Sequence, residues 1–501
     1  MRKNKLALAA AAVAAGFAPG LASASYGLYV GKNLTSDGSV YIGGTGDEVS
    51  SHYLRIVPHQ THPEDATITV GVTEDASMYG GTDKPGKLTE IPQVPETYKY
   101  ISMTYTNWEG FPPPLTNGGL NEKGVAARDI WSPSRSELIE MTEAPQTGPQ
   151  YSDLARIVMQ RADSAREAVE IVGDMIDQHG FSTYGGNSHL FADANEGWVL
   201  INFAGSQGLW VAERLGPDEV RMSYPGYIGE IPQDYQDDPD YMGSDNLISF
   251  AVEQGWYDPE SGEPFNVHAV YGAQDALMRR PTVREIEAKM ERFTPGMTFR
   301  KFMDIVRDPA MSKDSNGYGQ AARLNTDTPH PELRTLWVAP TGSVTAPFIP
   351  WRIGVTDVPP EFRKHRYLTK GSDSTFVTKE ASLQEATQFA GRLYKRLMYF
   401  TCHAPDRFLP EVQAALTMFE EDMLEDREQV EETALTLYEN GKPALARAYL
   451  TRYSHTQAHE AMALGEDLLG SIEARTKLLY DIPVVEGEAM GKLDYEMVTC
   501  R

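Results

Sequence analysis

Cysteine is nearly absent from this chain: Cys402 and Cys500 are the only two in 501 residues. One pair cannot scaffold a chain of this length, so a disulfide-framework protein is excluded, although an exported chain could join the two. Positive charge is also scarce. Lys and Arg together number 45 against 71 Asp and Glu, a formal charge of -26, and such a field repels phosphate backbones and anionic lipid. Nucleic-acid and membrane-surface partners are therefore not expected. After the first 24 residues no uncharged run reaches the roughly 20 residues that a membrane-crossing helix needs. The sequence also has no Gly-x-Ser-x-Gly elbow, Walker loop or His-Glu-x-x-His motif, and neither a cofactor nor a metal is expected. With 41% hydrophobic residues, what remains is an ordinary globular composition with a large core to bury.

The sequence opens with Met1-Arg2-Lys3-Asn4-Lys5, an alanine-rich uncharged stretch from Leu6 to Ala18, and then Leu21-Ala22-Ser23-Ala24. This is the charged, apolar and small-residue order of a secretory signal. Ala22 and Ala24 fit the positions three and one before the cut, which makes Ser25 the expected mature N-terminus; a cut after Ala22 is the rival. No cysteine follows the site to carry a lipid, so release into the periplasm or medium is expected. Removing Arg2, Lys3 and Lys5 makes the mature chain more acidic still.

Short strand-like runs recur from Tyr26 to about Val220: Gly27–Val30, Val40–Ile42, Leu54–Val57, Tyr100–Tyr105, Trp198–Ile201 and Leu209–Ala212. Two helical patterns lie between them, Ser152–Val158 and Ser164–Val172, the second opened by a capping box of Ser164 and Glu167. The segment from Pro225 to about Asp258 is rich in Tyr, Asp, Pro and Gly and reads as surface loop around a short helix at Asn246–Ala251. Strand signals return at Leu336–Ala339 and Val344–Ile349. Helical pattern then dominates from about Leu383 to Leu479, broken by a turn at Asn440-Gly441-Lys442-Pro443. The expected division is a signal at 1–24, a mixed α+β domain at 25–382, and a mainly helical region at 383–501.

A serine at a mature N-terminus can use its own α-amine as base for its hydroxyl. Here the cut, Ser25 and an immediate strand occur in that order. Beyond them, Ser25-Tyr26-Gly27-Leu28-Tyr29-Val30-Gly31-Lys32 is followed by Ser36-Asp37-Gly38-Ser39, then by Gly118-Gly119-Leu120-Asn121-Glu122-Lys123-Gly124-Val125-Ala126. Later come Phe191-Ala192-Asp193-Ala194-Asn195-Glu196-Gly197-Trp198, Gly255-Trp256-Tyr257-Asp258, and Arg334-Thr335-Leu336-Trp337-Val338-Ala339-Pro340. In this order the motifs resemble the secreted dipeptidase family of N-terminal-nucleophile hydrolases, the group of dipeptidase A and, more distantly, the secernins. The resemblance implies a four-layer αββα sandwich with an additional helical part, and hydrolysis of short peptides without cofactor. It makes Ser25 the nucleophile, in place of the family's usual cysteine, and Asp47 the carboxylate that orients the amine. Asn121 is a secondary candidate for support, set beside its reading as a turn residue.

Departures from the family pattern are as informative. Gly44 and Gly46 stand where relatives carry Arg and Glu, and Pro225-Gly226 where many have Pro-Asn. Loss of one oxyanion donor can cost about 100- to 1,000-fold in turnover. These losses motivate two alternatives: a relative that binds peptide or a protein partner without turnover, and an acylase for non-peptide amides. His455 and His459, His59 and His62, Cys402 beside His403, and Ser343 read more simply as surface, core or turn residues than as ligands or nucleophiles.

Overall fold

The computed structural model describes residues 25–47, 52–74, 84–104, 116–182, 185–363, 383, 386–482 and 498–500. Residues 1–24, the expected signal, lie outside them. Most strands fall into two antiparallel sheets. The first has six strands: β1 (Tyr26–Val30), β2 (Val40–Asp47), β10 (Val220–Ser223), β12 (Asn316–Leu324), β13 (Thr335–Ala339) and β14 (Ile349–Arg352), in the order β10-β1-β2-β12-β13-β14. The second has eight: β3 (Tyr53–Val57), β4 (Tyr100–Thr104), β5 (Thr116–Asn121), β6 (Ala126–Trp131), β7 (Asn187–Ala192), β8 (Gly197–Asn202), β9 (Trp210–Leu215) and β11 (Tyr241–Gly243). Their order is β11-β9-β8-β7-β6-β5-β4-β3.

β1 and β2 lie against β6, so the two sheets face each other. Helices α1 (Tyr151–Arg161) and α2 (Ala165–His179) pack on the eight-stranded sheet, against β5 and β6 and against β7 and β8 respectively. Helix α3 (Pro281–Glu291) packs on β10, and α4 (Phe299–Val306) on β2 and β12. Central strands are therefore covered on both sides. Every residue of β1, β7 and β8 is buried, which is why β1 and β8 read as mainly apolar runs rather than alternating ones. Phe299, Phe302, Met303 and Val306 recur at helical spacing on α4 and turn that face to the sheet.

Past residue 386 the described chain is helical: α5 (Ala390–His403), α6 (Pro405–Glu425), α7 (Arg427–Glu439) and α8 (Pro443–Tyr480), with α8 packed on α5, α7 and β14. Cys402 and Cys500 are joined by a disulfide. Among the described residues no helix is long and apolar enough to cross a membrane.

Three local expectations differ from the structure. The run Val344–Ile349 is not one strand: the chain turns at 343–345 and β14 starts only at Ile349. Pro347 has no N–H for a ladder, and the Phe348 N–H is taken by the Glu420 carboxylate at 2.7 Å. Ser164 does cap α2 through the Glu167 N–H at 3.1 Å, but Glu167 reaches back one residue further, to the Asp163 N–H. The reciprocal box belongs instead to α1, between Gln150 and Asp153. Finally, the segment after Pro225 is not all loop, because Tyr241–Gly243 adds the edge strand β11 to β9.

Candidate active site

Ser25 immediately precedes β1 and is buried. Gly27 on that strand faces the second sheet, since a Cβ there would stand 2.8 Å from Leu190 Cδ2, and Tyr29 packs over Gly197 on the same side. Side chains alternate along a strand, so Ser25 falls on the face between the sheets. Tyr26 points the other way, its hydroxyl donating to the Val306 carbonyl at 2.5 Å. Tyr26 pairs with Thr45 on one side, and Gly27 pairs with Ser223 on the other. Ser25 thus begins an interior strand, opposite Gly46 of β2 in the continued register.

The two family departures on β2 have physical causes. Gly44 has φ +143, and a Cβ there would overlap the Tyr26 carbonyl oxygen. A Cβ on Gly46 would overlap Asn117 Oδ1 and lie 2.5 Å from the Tyr318 ring. Those side chains form a buried cluster that the sequence did not announce. Arg128, fully buried in β6, donates from Nη1 to the Asn117 carbonyl at 2.5 Å and to its Oδ1 at 3.4 Å, and from Nη2 to the Thr45 carbonyl at 2.6 Å. Its guanidinium lies 5.0 Å from the Tyr318 ring centroid, and the Tyr318 hydroxyl donates to Asn117 Oδ1 at 2.8 Å. Gly118 clears space for Arg128, whose Nη1 would be 2.7 Å from a Cβ there. The available signal was Arg128-Asp129 inside an otherwise apolar strand run, a charge where a core side chain is expected.

Gly226, at the third departure, offers no donor. Its N–H is given to Ser132 Oγ at 2.9 Å, and the space for a side chain is filled by Ser188 Oγ. Asp47 ends β2 and its backbone pairs with Asn316; its side chain lies outside the described residues. Asn121 is held away from Ser25. Its amide donates to the Ala162 carbonyl at 2.7 Å and the Met159 carbonyl at 3.3 Å, and accepts from the N–H groups of Lys123 and Val125, so it ties the β5–β6 turn to the end of α1.

On the helix-facing side of β6, burial raises the Asp129 carboxyl to about 7 against the pull of Arg128. Its register partner His189 is lowered to about 3 by burial and then by Arg128. Elsewhere, His59 meets Glu122 at 2.7 Å, His62 meets Thr97 at 3.0 Å, and His455 meets Asp357 at 3.2 Å. Among the described residues no group of three or more His, Cys, Asp or Glu is placed to hold a metal ion. Ser343 is buried with its hydroxyl toward the Val306 carbonyl.

Comparison with known proteins places a family model described as peptidase family C69 on residues 24–302. The chain is 28% identical over 291 residues to a probable dipeptidase of Salmonella dublin, a match covering 55% of this chain and 61% of that one. It is 26% identical over 256 residues to a probable dipeptidase of Latilactobacillus sakei, covering 50% and 49%. With a probable dipeptidase B of Streptococcus pyogenes the identity is 24% over 270 residues, covering 52% and 49%. The chain therefore spans 61% of the first relative's length and about half of the others'. Among solved structures, two variants of the conjugated bile acid hydrolase from Clostridium perfringens superpose with TM-scores of 0.30 and 0.31 at 9% identity, over 69% of this chain and 97% of theirs.

Proposed function

Because the chain belongs to peptidase family C69, we propose that it is an exported dipeptidase whose nucleophile is Ser25, uncovered when the leader is cut. In this reading the two facing sheets and the helices on them are the four-layer αββα sandwich of N-terminal-nucleophile hydrolases. The observation that carries the proposal is the position of Ser25: first before an interior strand, buried, on the face between the sheets, and opposite a glycine. Short peptides are the substrate class, as the names of the curated relatives suggest. No cofactor, nucleic acid or membrane enters the scheme.

The chemistry follows from a serine with a free amine. Ser25 Oγ bonds to the scissile carbonyl carbon, its proton passes to its own α-amine, and the carbonyl pair moves onto oxygen. On collapse the C–N bond breaks, and the amine's proton goes to the leaving nitrogen. Water then repeats the sequence on the acyl-enzyme and releases the acid. Asp47, one residue along β2 from the glycine opposite Ser25, is the proposed partner of the amine.

The test is hydrolysis of a mixed dipeptide panel by protein whose Ser25 terminus is verified by intact mass. Loss of turnover in a folded Ser25→Ala protein supports the reading. Peptide binding without turnover in the verified wild type would favour the non-catalytic relative, the alternative that the occupied donor at Gly226 keeps in view.

A further inference from the structure

A cavity of about 400 Å³ opens where the six-stranded sheet meets the C-terminal helices. Tyr41 of β2, Arg323 of β12, Trp337 of β13, Phe299 of α4, and Arg427 and Glu431 of α7 line it. We propose that this cavity is a second binding site, for a zwitterion of the kind that an α-amino acid or a dipeptide presents, with the ligand's carboxylate on Arg427. That such a ligand is the product or substrate of this same chain rests on its reading as a dipeptidase.

The cavity is separate from the place of Ser25. Tyr41 pairs with Val30 at the far end of β1, whereas Thr45 pairs with Tyr26, next to Ser25. From Tyr41 to Thr45 the strand rises about 13 Å, at about 3.3 Å per residue. The two places also lie on opposite faces of the sheet. Tyr41 packs on Phe299 and Phe302 of α4, with ring centroids 5.3 and 5.6 Å away, while Ser25 falls on the face between the sheets.

Three arginines and three carboxylates line the cavity: Arg323, Arg334 and Arg427, with Asp37, Asp327 and Glu431. Most of them are engaged within the fold. Arg323 donates to Asp37 at 2.8 Å, Arg334 donates to the Glu122 carbonyl, and Glu431 lies 3.8 Å from the buried Arg352. Arg427 and Asp327 are left over. Among the described residues Arg427 makes no hydrogen bond or ion pair, and exposed Asp327 meets the Thr326 hydroxyl at 3.1 Å. Arg427 is half-buried, and burial, then the charge of Arg323, holds its pKa below the usual arginine value. It has lost water without gaining a bonded counter-ion. The planar fork of a guanidinium matches a carboxylate in bidentate geometry.

The balance of charge selects the class of ligand. Cations and carboxylates are equal in number, so a dianion such as phosphate would meet Asp37, Asp327 and Glu431 as well as the arginines. A zwitterion adds no net charge, and it can give its carboxylate to Arg427 and its ammonium to Asp327. Tyr41, Phe299 and Trp337 form an aromatic wall, with the Phe299 and Trp337 ring centroids 6.2 Å apart, and an apolar side chain is buried favourably against it. The volume lies within the range of small-molecule sites, about 300 to 1,000 Å³. Because Arg427 belongs to α7 and Tyr41 and Trp337 to the sheet, an occupant bridges the two.

The experiment is calorimetric titration of the processed protein with phenylalanine, with phenylalanine amide, which lacks the carboxylate, and with inorganic phosphate, repeated on Arg427→Gln. The expected result is saturable binding of phenylalanine that weakens about 10- to 100-fold in Arg427→Gln, with the amide weakened as much on wild type. Phenylalanine held equally by both proteins, no binding by wild type, or phosphate bound more tightly than phenylalanine each overturns the proposal. Should Arg427→Gln lose its circular-dichroism spectrum, Asp327→Asn is read against the same thresholds. In Ser25→Ala, titration with alanyl-phenylalanine beside phenylalanine shows whether substrate or product is the tighter occupant. Equal dipeptide turnover by wild type and Ser25→Ala would sink the nucleophile reading without touching binding that depends on Arg427.

Discussion

Asp129 and His189 sit opposite each other on β6 and β7, both buried, and neither Asp129 Oδ1 nor His189 Nδ1 has a hydrogen-bond partner among the described residues. Asp129 holds its proton up to about pH 7 in the folded chain, whereas an unfolded one releases it near 3.8. Its contribution to stability is therefore fully present below 3.8 and is lost as pH rises to about 7. His189 works in the opposite sense, because its folded pKa of about 3 lies below the usual 6.5 and stability drains as pH falls between those values. Asp129→Asn removes only the first effect. Thermal unfolding should show the variant more stable than wild type at about pH 8, by on the order of 4 kcal/mol, and close to it at about pH 4; equal Tm at both pH values would contradict the assignment. At this scale the sequence singles out Ser25 as a candidate through the signal-like pattern before it, and the structure adds that Ser25 is buried at the head of β1. The sequence did not disclose Asn117 or Arg128, because their meeting depends on a bulge and on two glycines across the interface, and no spacing along one strand encodes that.

Elements with strong periodicity were legible. The apolar runs of β1, β2, β3, β4 and β8 and the helical patterns of α1, α2 and the C-terminal helices are all present. β12 was not, although it pairs with β2 over nearly its whole length. Its sequence, Asn-Gly-Tyr-Gly-Gln-Ala-Ala-Arg-Leu, is poor in the β-branched residues that mark strands. The reason is packing: a Cβ on Gly319 would stand 2.9 Å from Ser343 Cβ, and one on Gly43 would stand 2.8 Å from the Phe302 ring. In β2 the same argument makes a prediction. Gly46→Ala should crowd the buried Asn117 amide and the Tyr318 ring and cost about 1 to 3 kcal/mol, read as a fall in Tm. A Tm equal to that of wild type would contradict the packing argument at Gly46.

At the scale of the molecule, the helical C-terminal part is tied to the sheets through one buried carboxylate. Glu420 of α6 forms ion pairs with Arg300 and Arg307 around α4 and accepts the Phe348 N–H just before β14. Glu420 and Arg307 are both almost completely buried, so Glu420→Ala should cost about 3 to 5 kcal/mol by stranding a buried cation. Denaturant unfolding measures this, and a loss below about 1 kcal/mol would mean that water reaches the arginines. The turn and helix signals past Leu383 gave these helices from the sequence, but not the linkage, because Glu420 lies more than a hundred positions from both Arg300 and Arg307 and meets them only when α4 and α6 pack. The central claim, that this member of peptidase family C69 works through Ser25, is tested most directly by turnover of a dipeptide panel in processed wild type and processed Ser25→Ala. The account predicts hydrolysis in the first and none in the second, with both proteins folded. Equal hydrolysis by the two would contradict it.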